Sequence, residues 1–219
     1  MSENDLFRTP TIASPYPEDF ESVTEFVYKS HLYIGRKRNK VRRKSDSEVN
    51  YVTLRDYDVS FKVDGKPVDL TVPAGMLTDL ASVPSLARPF LGRVGPHLEA
   101  SIVHDFLFIA WQLLPDGRAK EKDWRFANEV MYAALRRTDM KSWKQWSIRR
   151  ALNNFSWGIY RDKEPNKDQL FLDPARDSLF DELHALAGGG QGPQPLGSPE
   201  DRPLRPSPDP GTVSEPLTS

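Results

Sequence analysis

Between Tyr57 and Val72 apolar side chains fall on every second position to either side of Asp64-Gly65: Tyr57, Val59, Phe61 and Val63 lead into the pair, and Val68, Leu70 and Val72 lead out of it. Alternation with period two is the mark of a half-buried strand, and Asp-Gly supplies the positive φ values of a two-residue hairpin turn. A hairpin with one apolar face is not stable alone in water and must be covered by a second layer. That layer is expected downstream, where the period changes. Ala100, Val103, Leu107 and Ala110 recur at helical spacing with Ile102, Phe106 and Ile109 alongside, which describes a helix apolar nearly all round and therefore buried. Pro115-Asp116-Gly117 makes a turn, and Phe126, Ala127, Val130, Met131, Ala134 and Leu135 mark a second, amphipathic helix that packs antiparallel to the first. Trp143, Trp146, Ala151, Leu152, Phe155 and Ile159 mark a third, whose aromatics read as core rather than as a lipid-facing collar. The expectation is an α+β domain: a small antiparallel sheet over 26–72, a proline-bounded loop over 73–98 and three packed helices over 99–160.

The ends of the chain are of a different character. Residues 1–21 carry Pro10, Pro15 and Pro17 among polar residues and read as a flexible arm, while 187–219 are rich in Gly, Pro, Ser and Asp with no apolar period and read as a disordered tail. One globular domain over 22–186 lies between them, closing with a short exposed helix over 177–186 that bears His184. The absence of cysteine excludes disulfides and thiolate metal sites. No apolar run is long enough for a membrane span or a signal sequence, so the chain is expected in the cytoplasm on synthesis. A net charge of -1 gives no global attraction to nucleic acid. The one dense cluster, Arg36 to Lys44, has no interleaved aromatics; it reads as a solvated loop, with an anionic partner as the lesser reading.

Four residues stand out against this frame. Asp79 lies in the loop that the hairpin delivers, His104 and Asp105 are neighbours on the buried helix, and Asp123 opens the next helix. Taken singly, each has a structural explanation: Asp123 complements the positive end of a helix dipole, a helical histidine is satisfied within a core, and Asp79 closes a turn with Ser82. Their convergence on one helix pair and the loop before it is what makes them a candidate site. Carboxylates and loop carbonyls suit a hard cation such as Ca²⁺, a histidine beside them can take a proton from water, and an aspartate can fix the imidazole by its other nitrogen. Such a set describes an ester-hydrolysing centre.

The segment Asp79 to Met131 resembles the catalytic part of the phospholipase A₂ superfamily, especially its small bacterial members. The shared features are an Asp-x-x-Ser loop (Asp79 to Ser82), a His-Asp pair on one helix (His104-Asp105) and an aspartate about twenty residues later on the antiparallel helix (Asp123). The resemblance implies a phospholipase A₂-like three-helix core. It implies a Ca²⁺ site, with Mg²⁺ as the alternative, from Asp79, the Leu80 carbonyl and Asp105. His104 is then the base and Asp123 its partner, and phospholipid or another ester is the substrate. Phe108 replaces the tyrosine expected after the His-Asp pair, so Asp123 needs another donor.

A wider region, Tyr51 to Tyr160, resembles a phage and prophage family without assigned function, through Val72-Pro73-Ala74-Gly75, Thr78 to Pro84, His104 to Phe108 and Asp123. It implies a phage-encoded protein that becomes virion-associated or is released, with a phospholipid membrane surface or virion proteins as partners. The rival reading is a non-catalytic structural or interaction protein of the virion or tail that keeps the helix pair as scaffold.

Overall fold

A computed structural model of the chain describes residues 6–42, 48–78, 97–161, 170–176 and 180, with the backbone alone for 37–42 and 48–50. Asp79, Leu80 and the rest of 79–96 lie outside the described residues, as do the closing helix read over 177–186, apart from Phe180, and the tail 187–219.

The hairpin forms as its alternation requires. Strands β5 (Tyr57–Val63) and β6 (Lys66–Val72) pair antiparallel in unbroken register from Tyr57↔Val72 to Val63↔Lys66. Asp64 and Gly65 carry the turn at φ 49° and 78°. Tyr57, Val59, Phe61 and Val63 are buried, and β2 (Val23–Tyr28) adds a third strand along β5. A second antiparallel set, β3 (Ile34–Arg42), β4 (Glu48–Thr53) and β7 (Leu77–Thr78), lies in the order β3-β4-β7. The basic run expected as a loop is thus strand as far as Arg42, because it pairs with β4. Short strands β1 (Phe7–Arg8) and β8 (Phe171–Leu172) form a third pair.

Gly75 to Leu77 sits where these strands meet. Its backbone exchanges hydrogen bonds with Thr53 on one side (Gly75 N to Thr53 O, 2.7 Å) and with 170–172 on the other (Leu172 N to Gly75 O, 2.8 Å; Leu77 N to Leu170 O, 2.9 Å). Gly75 takes φ 88°, and a Cβ there would stand 2.2 Å from the Leu172 carbonyl oxygen, so the position tolerates only glycine. The strand end that precedes Asp79 is therefore held in place.

Three helices follow: α1 (Leu98–Ala110), continued by a 3₁₀ turn over Trp111–Leu113, then α2 (Glu121–Leu135) and α3 (Ser142–Arg161). Burial of α1 on nearly every side matches its sequence, with only Leu98, Glu99 and Asp105 outside the buried set. Helix α2 lays Phe126 on the β2-β5-β6 sheet, where its ring meets Phe61 (centroids 6.0 Å) and Phe61 stacks on Phe26 (5.9 Å). Helix α3 joins α2 through Trp124 Nε1, which donates to Ser156 Oγ at 2.7 Å, and through Arg149 paired with Glu129 at 2.7 Å. The class is α+β: small antiparallel sheets with three helices.

Two expectations differ from what is observed. Residues 6–21, read as a flexible arm, are docked: Phe20 and Tyr16 meet Phe126 edge-on at 5.2 and 6.4 Å, and the backbone N–H groups of Glu21 and Ser22 donate to the Asp64 carboxylate. Those two amides hold the Asp64 carboxyl below its ordinary pKa. Two aromatics, not the prolines, decide the fate of this segment, since Tyr16 and Phe20, with the Asp64 cap, outweigh the ordering cost. On α3, the aromatics Trp143, Trp146 and Phe155, read as core, are exposed, as is Ile159; the side that packs inward carries Ile148, Leu152, Ser156 and Tyr160 instead. One helix face can be covered by one neighbour, and aromatic content alone does not say which face that is.

Candidate functional site

His104 is the centre of the described site. It lies in the middle of α1, 1 % exposed, with the Phe108 ring one turn further on at 4.0 Å between centroids. Its Nε2 stands 3.0 Å from Asn128 Oδ1 on α2, and Asn128 Nδ2 donates to Asn153 Oδ1 on α3 at 3.3 Å. With the amide nitrogen committed to Asn153, the amide oxygen faces the ring and must accept, so Nε2 carries the hydrogen. In the neutral imidazole the basic lone pair is then on Nδ1. A polar file thus runs from a buried histidine across two helices to Asn153, which lines a cleft of about 650 Å³ together with Phe20, Trp124, Glu129 and Arg149.

Asp105 follows His104 and is half-buried. Thr78 Oγ1 donates to its Oδ2 at 2.5 Å, which ties the end of β7 to α1. Thr78 is the residue before Asp79, and the tie therefore fixes the last described residue ahead of it. The Asp79 and Leu80 assignments fall outside the described residues.

Asp123 is buried in the first turn of α2, at 3 % exposure. Burial pushes its carboxyl above the ordinary aspartate value, opposed by the charges of Lys120 and Lys122 and reinforced by Asp116. Its charge in turn raises the phenols of Tyr16 and Tyr160, which burial has already raised. Tyr160 packs edge-on against Phe108 at 5.0 Å, and Tyr16 is bonded to α1 through the Leu107 carbonyl and the Trp111 amide. The hydrogen bond to the imidazole that the resemblance assigns to Asp123 is made by Asn128.

The structure therefore brings together His104, Asn128 and Asn153 in one file and Thr78 with Asp105 beside it. Asn128, Asn153 and Thr78 were not singled out from the sequence. Asn128 did carry a signal: it interrupts the buried stripe Phe126, Ala127, Val130, Met131 with an amide, and a buried amide needs partners. Asn153 had none, lying in an Asn-Asn pair on a helix of uncertain facing.

Among the described residues no group of three or more His, Cys, Asp or Glu converges as a metal site. The donors present, the Asp105 carboxylate and Thr78 Oγ1, are oxygen ligands of the type that Ca²⁺ or Mg²⁺ takes, and fewer than either needs. No protein of the curated set and no solved structure matches the chain. Residues 52–151, which hold the hairpin, the segment 79–96 and the helices up to the first half of α3, match the model of a family described as "Protein of unknown function (DUF1353)".

Proposed function

We propose that the domain is a hydrolase-like protein, phage-encoded, in which His104 serves as general base for the cleavage of an ester, phospholipid being the leading candidate. The observation that supports this reading is the oriented imidazole: Nε2 is held by Asn128 Oδ1 at 3.0 Å, and Asn128 is itself held by Asn153. An orienting amide selects the tautomer whose Nδ1 can take a proton, which is what a base that activates water requires. Asn128, being neutral, orients the ring without the charge that an aspartate would add to stabilise the imidazolium. Asp123 enters as a charge felt by Tyr16 and Tyr160 rather than as the partner of the ring.

A Ca²⁺ or Mg²⁺ ion, if bound, would polarise the ester carbonyl. Asp105 would hold it, with Asp79 and the Leu80 carbonyl completing the shell; the Thr78 hydroxyl restrains the Asp105 carboxylate that this requires. The phospholipase A₂-like arrangement of the three helices belongs to the same reading.

The rival, a non-catalytic virion or tail-associated protein, draws on the depth of His104, whose burial suits a satisfied core network as well as a base. Hydrolysis of phospholipid vesicles and of a soluble ester by the purified chain and its His104→Gln variant separates the two. Turnover that drops about 10²-fold in the variant supports the base; turnover equal in both removes His104 as the base, and turnover absent in both leaves the structural role.

A further inference from the structure

We propose that the solvent side of α3 docks on an anionic phospholipid surface. The helix carries Lys144, Arg150 and Arg161, besides Arg149, which is paired with Glu129 of α2, and not one carboxylate in 20 residues. The turn that leads into it adds Arg136, Arg137 and Lys141 against Asp139 alone. Trp143 and Trp146 project from the first two turns at 55 % and 58 % exposure. At helical spacing Trp143, Trp146, Arg150 and Trp157 share one side, opposite the buried Leu152. Trp157 is wedged into the domain against Trp124 at 5.6 Å, so the row is anchored at one end and free at the other. Phe155 and Ile159 lie on a different flank and take no part.

Large apolar side chains flanked by cations, on a helix that has no acid of its own, describe a helix that rests in the headgroup layer with its rings at the acyl boundary and its charges at the phosphates. Each exposed indole already has a cation at its face: Lys144 Nζ is 5.7 Å from the Trp143 ring centre and the Arg150 guanidinium 5.4 Å from that of Trp146. A nucleobase would have to compete for those ring faces, whereas a lipid surface receives ring and cation together, which favours lipid over nucleic acid. No helix among the described residues is long and apolar enough to cross a membrane, so the contact is with the surface.

The surface stands on exposure and charge and does not depend on hydrolysis. Binding is therefore measured with the full chain on vesicles of ether-linked lipids, which hold no ester to cleave: phosphatidylcholine alone, or mixed with phosphatidylglycerol, by co-sedimentation and tryptophan emission. The expected result is binding to the anionic vesicles with a blue shift, weaker by at least about tenfold on phosphatidylcholine and in high salt. Trp143→Ser/Trp146→Ser and Lys144→Glu/Arg150→Glu should each weaken it by about tenfold or more, with unchanged circular dichroism. Should the tryptophan pair fail to fold, the charge pair carries the test. No binding to anionic vesicles, binding that both double variants retain, or a single-stranded oligonucleotide that binds more tightly than vesicles and is released by the same substitutions overturns the proposal.

Discussion

Asn128 Oδ1 lies 3.0 Å from His104 Nε2, so a neutral side chain on the second helix orients the imidazole of the first. The pair couples two helices through one buried hydrogen bond, and what replaces the amide decides both the tautomer of the ring and its affinity for a proton.

Asn128→Asp would set a carboxylate against the ring. An opposite charge at that distance favours the imidazolium, so the His104 pKa should rise by one unit or more, read by histidine NMR titration. If hydrolysis is found, its pH profile should move by the same amount. Asn128→Leu leaves Nε2–H buried without an acceptor and should cost about 1–3 kcal/mol of stability. A His104 titration identical in all three proteins would show that the amide does not control the ring.

Ca²⁺ or Mg²⁺ that binds only the folded chain must raise its melting temperature. At a concentration a hundredfold above Kd the gain is about 2.7 kcal/mol, and Asp105→Asn should remove it. Calorimetry with and without millimolar cation checks this; an unchanged melting point in the parent chain would remove the metal from the proposed mechanism.

Burial raises the Asp123 carboxyl above its ordinary value of 3.8. A raised folded-state pKa means that the neutral form is the better accommodated one, so its contribution is fully present below the unfolded value and is lost as pH climbs through the folded one. Asp123→Asn should accordingly melt higher than the parent near pH 7, with the difference shrinking toward pH 4. A variant that melts lower at neutral pH would mean that the carboxylate is held by a favourable partner.

Gly75→Ala forces a Cβ onto the Leu172 carbonyl at a positive φ. We expect a loss of at least about 2 kcal/mol, seen as a drop of several degrees in melting temperature. Gly65→Ala serves as the control: its φ is also positive but no atom lies within 4 Å, so only the backbone cost applies, about 1 kcal/mol.

Local signals carried the hairpin and the three helices, because alternation from Tyr57 to Val72 and the apolar run from Ala100 to Ala110 need no knowledge of distant residues. The docking of Tyr16 and Phe20 on Phe126 was not legible, since it pairs residues about a hundred positions apart and prolines dominate the local pattern. The same holds for the facing of α3: Ile148 and Leu152 lie inward and Trp143 outward because of where α2 stands, which spacing within α3 does not encode. His104 and Asp105 were recognisable as a polar pair on a buried helix. Spacing nominated Asp123 as the ring's partner and passed over Asn128, five residues on, because a carboxylate is the commoner orienter and the rotation of one helix against its neighbour is a tertiary quantity.

Phe7 pairs with Leu172, and between these two residues lie about 165 positions of chain. During synthesis at roughly 5–20 residues per second, β1 must wait on the order of ten to thirty seconds for the only strand it pairs with among the described residues. From its own synthesis until that of β8, about 95 residues later, the Gly75–Leu77 edge is open to other strands. A nascent chain stalled before residue 170 would therefore be prone to mispairing at that edge, and the last step of folding would be closure of the seam between the two ends of the domain.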